Sequence, residues 1–247
     1  MIILELVQNI ALLMALAVVL RVFPKGGWGE GHWSHPVVPS VVSGLVFGGF
    51  CIAGMLTPMH FAPGIIFDGR SIILAVAGLF GGPVVAVVAA MMAGAYRLWL
   101  GGGGALMGVS VTAEAAALGV VFHYWRKRNP YLLNYFPLWG FGLLVHVVMV
   151  ACMLLLPKES RWEVILFLGP AVLLVYPLAT MVVCRLFLDQ ELREQAETAL
   201  QESEEKYREL VEQANSIILR WDASGRITFV NEYGLHFFGY SRDEIIG

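Results

Sequence analysis

The first three quarters of the sequence contain very little charge. Residues 1–184 hold only nine Lys/Arg and six Asp/Glu, whereas residues 185–247 hold seven and thirteen. With 58% hydrophobic residues and a mean hydropathy of +0.71, the chain is too apolar for an ordinary soluble domain. Its net charge of −3 therefore averages a part that needs a bilayer and an acidic part suited to water.

The sequence also lacks the patterns of several functional classes. Its three cysteines lie at irregular spacing inside apolar segments, which argues against a disulfide framework and a zinc site. No basic residue precedes the first apolar run and no small-residue cleavage site follows it, so we expect this run to stay as an anchor. No catalytic triad, paired-carboxylate site or nucleic-acid surface is visible. We expect no active site, metal, cofactor or nucleic-acid partner in this chain.

Six segments are apolar and can each supply the roughly 20 residues that cross a bilayer. They are residues 2–20, 37–60, 71–96, 98–125, 132–156 and 164–184. Their many glycines and alanines let helix backbones approach closely within lipid. The sequence therefore predicts an all-α polytopic membrane bundle of about six apolar helices, one of which is a candidate re-entrant segment.

The path of segment 71–96 is left open. Gly-Gly-Pro at 81–83 weakens a helix in its middle. If the chain folds back there, it crosses the membrane five times, and Arg70 and Arg97 share the outer face. If the segment crosses fully, there are six crossings. The basic cluster at 126–128 belongs on the cytoplasmic side, as does the C-terminal tail, and charge counting favours five crossings by a small margin.

Two arginines are candidate ligand-binding residues. Arg70 and Arg97 adjoin long uncharged runs, and a guanidinium offers paired donors that match a carboxylate or phosphate. The alternative is that both anchor segment ends at the membrane surface. The glycine run that follows would let backbone amides approach the same anion, although it lacks the Lys and Ser/Thr of a nucleotide-binding loop. The candidate set is Arg70, Arg97, Asp68, Gly101, Gly102, Gly103, Gly104, Ser110 and Glu114.

Two acids in this set have open roles. Asp68 either pairs with Arg70 or caps the helix expected from Ser71 onwards. Glu114 lies inside an apolar segment, where an ionisable group is costly to bury and is therefore a functional candidate. The alternatives for Glu114 are that it counters Arg97, binds a cation or is protonated against a neighbouring helix.

The chain changes character near residue 185. Residues 189–214 are rich in Glu, Gln, Leu and Ala without Gly or Pro, which predicts a helical signalling linker. Leu200, Tyr207 and Leu210 follow one another at intervals of seven and three residues, close to a helical repeat. This stripe is too short to establish a coiled coil, so pairing with a second copy is left open.

The last segment, 215–247, predicts a small α/β fragment. Two strands, at 216–222 and 227–230, flank a turn containing Gly225. Asn231 should then cap a short helix at 232–238. Two strands cannot bury a stable core alone, so we expect a domain that is cut off before it closes.

The region from 61 to 110 contains several recognisable elements. They are Asp68-Gly69-Arg70, the Gly-Pro break at 82–83, Ala-Gly-Ala-Tyr-Arg at 93–97 and the glycine loop. Together they resemble the LytS/YhcK-type five-transmembrane receptor family, over about residues 30–188. The resemblance implies a transmembrane sensory receptor domain at 1–188 in a bacterial inner membrane. It also treats 71–96 as a span, which favours six crossings.

Residues 205–214, 218–231 and 237–247 together resemble the opening of a PAS domain. The two resemblances imply the input region of a sensor histidine kinase in a two-component system, or of a diguanylate cyclase. The output enzyme would lie beyond residue 247, and the protein would be a homodimer in membrane lipid. The arginines suggest a small anionic metabolite as ligand, such as a short carboxylate. A transporter-like substrate-binding protein and a passive anchor for a cytoplasmic PAS sensor are the alternatives.

Overall fold

A computed structural model describes residues 37–56, 59–62 and 65–247. The apolar segment predicted at 2–20 lies outside the described residues. Within them, five helices are long and apolar enough to cross a membrane, which confirms the predicted polytopic bundle. They are α1 (Val37–Leu56), α2 (Arg70–Leu100), α3 (Ala105–Arg128), α4 (Tyr135–Cys152, extended by the 3-10 turn Met153–Leu155) and α5 (Lys158–Glu212).

A short antiparallel hairpin connects α1 to α2. Its strands are β1 (Met59–Ala62) and β2 (Ile65–Phe67), paired with Met59 opposite Phe67. The last residues of the apolar segment 37–60, Met59 and His60, therefore lie in this hairpin rather than in α1. Pro58 has no amide hydrogen and disfavours helix in the residue before it, so the helix ends at Leu56.

Helix α2 is broken in its middle. Gly82 has φ 75° and ψ −167°, far from helical values and in a region that favours glycine, and Pro83 follows it inside the element. The break divides α2 into a first arm, residues 70–81, and a second arm, residues 83–100.

Contacts with α3 show that the two arms run in opposite directions. Gly78 packs against Gly119, farther along α3, while Arg97 lies against Gly108 near its beginning. Arg70 also lies against Gly108. A straight helix rises about 1.5 Å per residue, which would hold Arg70 and Arg97 about 40 Å apart. The segment therefore adopts the fold-back alternative, and the straight span that the family resemblance favoured was wrong.

Helix α1 runs alongside the second arm in the same direction. A Cβ on Gly44 would lie 2.6 Å from Val88 Cβ, and one on Gly48 would lie 2.7 Å from Met92 Sδ. The C-terminal ends of α1 and α2 consequently lie at one end of the bundle, together with the start of α3. The basic cluster at 126–128 ends α3 and lies at the opposite end.

The first arm forms the centre of the membrane bundle. Every residue from Arg70 to Phe80 is buried, whereas the second arm exposes Val87 and Met91. A helix that is apolar all round is typical of such a central position. Close backbone contact is possible because Gly78 and Gly119 face each other: a Cβ on Gly119 would lie only 2.5 Å from the Ala75 carbonyl oxygen.

The described residues fall into two compact units: those up to Gln190 form the first, and Glu191–Gly247 form the second. The second unit contains the end of α5, then the antiparallel strands β3 (Leu219–Trp221) and β4 (Ile227–Val230), and the helices α6 (Glu232–Phe238) and α7 (Arg242–Ile245). This confirms the predicted α/β fragment.

Asn231 connects the pieces of this second unit. Its side-chain oxygen accepts the Gly234 amide at 3.1 Å, as the predicted cap requires, and also the Ile218 amide. Its amide group donates to the carbonyl oxygens of Val211 and Ser216. One buried side chain thereby joins the end of α5 to the hairpin and to α6.

Candidate functional site

Arg70 and Arg97 meet at one end of the membrane bundle. Arg70 begins the first arm of α2 and Arg97 lies in the last turn of the second arm, so the fold-back at Gly82 brings them together. They are only 4% and 1% exposed. Arginines that merely anchored segment ends would extend towards water, whereas these two are enclosed by the bundle.

Asp68 pairs with Arg70, which is one of the two structural roles that the sequence left open. One carboxylate oxygen accepts the backbone amide of Arg70 at 3.0 Å, but the N-cap of α2 is Gly69, which offers no side-chain hydrogen bond to cap the helix. The other lies 3.2 Å from Nη1 of the Arg70 guanidinium, and both side chains are almost completely buried. A buried charge of this kind needs a partner, so Asp68 holds Arg70 in place.

Arg97 is tied to the glycine loop. Its Nη1 donates to the Gly101 carbonyl oxygen at 2.6 Å. Gly101 has φ 64°, a conformation that favours glycine and lets the chain turn from α2 into α3. Gly101 is half-buried, Gly102 and Gly103 are exposed, and Gly104 is buried at the start of α3. The loop therefore fixes one arginine while keeping exposed backbone beside it.

Gly108 of α3 forms the surface against which both guanidiniums lie. A Cβ here would lie 2.7 Å from Nε of Arg97 and 3.1 Å from Nη2 of Arg70. Its carbonyl oxygen accepts the hydroxyl of buried Thr112 at 2.9 Å. The sequence does not single out Gly108, because glycine is common in these segments and only the fold-back shows what this one contacts.

Two of the predicted site residues form no hydrogen bond to the arginines within the described chain. The Ser110 hydroxyl donates to the Leu106 carbonyl oxygen within α3. Among the described residues, neither of the buried carboxyl oxygens of Glu114 has a hydrogen-bond partner. The described residues also contain no group of three His, Cys, Asp or Glu that could hold a metal ion. The assignment of Ser110 and Glu114 as ligand-binding residues stays a prediction.

A buried histidine supports the start of the first arm. His146 of α4 lies with Nδ1 2.7 Å from the Gly142 carbonyl oxygen and Nε2 3.2 Å from the Ser71 hydroxyl. Because a carbonyl oxygen can only accept, Nδ1 carries the proton and Nε2 accepts from Ser71. Ser71 follows Arg70 directly, so His146 braces the backbone that carries the arginine.

Comparison with known families gives two matches. A family model described as 5TMR of 5TMR-LYT matches residues 33–190, which is more than half of the chain. A model of the PAS fold matches residues 205–247. No curated protein and no solved structure matches the chain. Both arginines, Asp68 and Gly108 lie inside the first match.

Proposed function

The chain belongs to the 5TMR-LYT family of multi-pass membrane receptors and is the membrane sensor of a signalling protein; on that premise, we propose that it binds a small anion at Arg70 and Arg97. The single observation that carries the proposal is the convergence of both guanidiniums on Gly108, inside an apolar bundle.

The chemistry of the two side chains suggests the class of ligand. Two like charges in a medium of low dielectric repel each other, and an anion bound between them offsets that repulsion. Each guanidinium presents a planar set of donors that matches a carboxylate or a phosphate. The glycines at 102 and 103 expose their backbone beside Arg97. A short carboxylate is the ligand we favour.

The remaining parts of the chain support a role in signalling. Helix α5 continues without interruption from the membrane unit to Glu212, just before the hairpin of the PAS match. We place the output enzyme, a sensor histidine kinase or a cyclic-dinucleotide enzyme, beyond residue 247. The basic cluster at 126–128 supports a cytoplasmic C-terminal tail, and we propose the bacterial plasma membrane as the location that the family implies. Exposed Leu200, Tyr207 and Leu210 support pairing of α5 in a homodimer.

Ligand-induced thermal stabilisation of the detergent-purified chain tests the anion site. Acetate, longer carboxylates and inorganic phosphate would be titrated against the wild type and the Arg70→Ala and Arg97→Ala variants. We expect a saturable rise in melting temperature with one of these anions, which both variants lose. The exposed arginine at 128 supplies the matched control, because Arg128→Ala should respond as the wild type does.

Conservative variants cover the case in which an alanine variant does not fold. Arg70→Lys and Arg97→Lys keep the charge but lose the planar fork of donors, so we expect weaker binding with an intact fold. The absence of a shift with every anion, or unchanged shifts in all four variants, would contradict the anion site and favour a passive membrane anchor.

A transporter-like protein is the second candidate, because α2 is broken in mid-membrane and Glu114 is an intramembrane acid. It predicts flux of the bound anion into liposomes that contain the purified chain. A receptor predicts binding without flux.

A further inference from the structure

The first arm of α2 carries Arg70 at its start and is connected to α5 near both of its ends, through His146 at one end and through Phe80 at the other. It begins at Arg70, ends next to Gly82, and is buried along its whole length from Arg70 to Phe80. Protein interiors are packed too densely to absorb a displacement locally. The contacts at the two ends of this arm therefore determine which neighbouring helices move when Arg70 is displaced.

At the end near Arg70, a histidine connects the arm to α5. Ser71 donates its hydroxyl hydrogen to His146, and the His146 ring packs edge-on against the Tyr176 ring of α5, with 5.2 Å between centroids. Beside this contact, Gly142 of α4 leaves room for the backbone of Pro177, and a Cβ there would lie 2.8 Å from the Pro177 carbonyl oxygen. The arm, α4 and α5 are therefore closely packed at this end.

At the opposite end, Phe80 lies between a cation and an aromatic ring. The Arg126 guanidinium carbon is 4.8 Å from the centre of the Phe80 ring. On α5, the Phe187 ring lies 5.6 Å from that of Phe80 and 5.9 Å from that of Phe47. Phe187 is close to Gln190, where the membrane unit ends. The tip of the arm thus contacts α5 where that helix leaves the bundle.

Glycines hold the middle of the arm tightly against α3. A Cβ on Gly78 would lie 2.8 Å from the Ala116 carbonyl oxygen and from the Gly119 Cα. The His123 ring donates a hydrogen bond to the Leu79 carbonyl oxygen of this arm, at 3.0 Å. Most of the arm's residues are apolar, and apolar packing lets a helix shift as a unit because no ladder of hydrogen bonds to its neighbours must break.

We propose that the first arm of α2 is the coupling element of the receptor, with His146 and Phe80 as positioning residues that pass a displacement at the arginines to α5. The identity of the ligand rests on the proposed function above, but the route does not. An anion that binds one arrangement of the arm more tightly shifts the population towards it. Phe80 at the tip of the arm then displaces Phe187, and with it this part of α5. The helix transmits the displacement towards residue 212.

Amide hydrogen exchange of the full chain in lipid nanodiscs tests this route without any ligand. Arg97→Ala perturbs the site directly, and the readout is the exchange rate across residues 191–212. We expect a change of about fivefold, at the lower end of typical allosteric coupling. In a Phe80→Leu background, adding Arg97→Ala should not change the exchange rate across residues 191–212 any further. The four proteins form a double-mutant cycle that measures the coupling between the two residues.

The pair formed by Phe122 and Phe141, 4.5 Å apart between α3 and α4, supplies the matched control. Phe141→Leu removes the same atoms from a buried aromatic pair that does not include the arm, so Arg97→Ala should keep its effect there. His146→Ala should lower the effect as Phe80→Leu does, while His146→Gln, which keeps a hydrogen-bonding group, should restore part of it.

Two results would overturn the route. If Arg97→Ala leaves the exchange of residues 191–212 unchanged, the arm does not connect the site to α5. If the effect is as large in Phe80→Leu as in Phe141→Leu, transmission takes another path. Neither result bears on anion binding, which the thermal shifts measure separately, so failure of the route and failure of the anion site are distinguishable.

Discussion

Arg97 occupies the space that Gly108 leaves open. The Arg97 Nε and Cγ atoms lie 2.7 and 3.0 Å from the position that a Cβ on Gly108 would take, and Nη2 of Arg70 lies 3.1 Å from it. Neither arginine can keep its present position if a side chain is added at residue 108. The glycine is therefore part of the geometry of the pair, although it offers no functional group.

Gly108→Ala should consequently disturb the anion site more than the fold. The methyl group displaces both guanidiniums, which are the ends of flexible side chains and can move aside while the backbone keeps its place. We expect a loss of anion-induced stabilisation, measured as the shift in melting temperature with the anion that stabilises the wild type. Gly140→Ala is the control, because no atom lies within 4 Å of a Cβ on that residue. Equal anion responses in the two variants would exclude this role for Gly108.

Gly119→Ala should destabilise the membrane bundle itself. The added Cβ would lie 2.5 Å from the Ala75 carbonyl oxygen and 2.9 Å from the Gly78 Cα, and backbone atoms cannot move aside alone. We expect a loss of about 1–3 kcal/mol in unfolding free energy, measured by denaturation in mixed micelles. Gly49→Ala in α1 meets open space and should be neutral or stabilising, since alanine favours helix over glycine by about 1 kcal/mol.

The sequence predicted the membrane bundle but could not decide the path of α2. Hydropathy is equally high on both sides of Gly82, so composition alone is compatible with a straight span and with two arms. The relevant signal was the Gly-Gly-Pro at 81–83, and the charge count pointed the same way. What decides the question is the pairing of Gly78 with Gly119 and of Arg97 with Gly108, which are contacts between distant parts of the chain.

The candidate site was predicted in part for the same reason. Residue chemistry identified Arg70 and Arg97 as candidates. It also identified Asp68, because its partner Arg70 is two positions away along the chain. The role of Gly108, and the identity of Ser71 as a partner of His146, depend on helices packed from elsewhere, so nothing local indicated them. The hairpin at 59–67 was missed because its residues are as apolar as the end of a span.

Asp68 variants should separate its two roles. Asp68→Asn keeps an oxygen that can accept the Arg70 amide but loses the charge pair, and we expect a folded protein. Asp68→Ala removes both contacts and leaves Arg70 buried without this carboxylate, which costs about 3–5 kcal/mol when such pairs are broken. The measurement is the yield and melting temperature of monodisperse protein in detergent. If Asp68→Asn proves as stable as the wild type, the ion pair does not hold Arg70. If Asp68→Ala proves as stable as Asp68→Asn, the hydrogen bond to the Arg70 amide does not contribute.

The capping box of α7 should respond to pH. Hydrogen bonds from the Ser241 amide and hydroxyl, each 2.8 Å, lower the pKa of the Glu244 carboxyl below its ordinary value of 4.5. A lowered pKa in the folded state stabilises the cap at pH values above 4.5. The stabilisation disappears as the pH falls through the lower folded value.

The chemical shift of the Ser241 amide, followed by NMR during acid titration, reports this transition. We expect Glu244→Gln to abolish it and Asp243→Asn, one residue away, to leave it in place. If the Ser241 amide titrates in Glu244→Gln as it does in the wild type, the transition does not arise from Glu244.

The fold-back of α2 is the structural basis of the account, because it alone brings Arg70 and Arg97 to one site. The most direct test replaces the three native cysteines with serine and introduces single cysteines at Leu56, Gly102 or Lys127, all exposed at the ends of helices. A membrane-impermeant thiol reagent is then applied to right-side-out and inverted vesicles. If α2 folds back, Leu56→Cys and Gly102→Cys react from the same face and Lys127→Cys from the other. Reaction of Leu56→Cys and Gly102→Cys from opposite faces would contradict the fold-back, because α2 would then cross the membrane once.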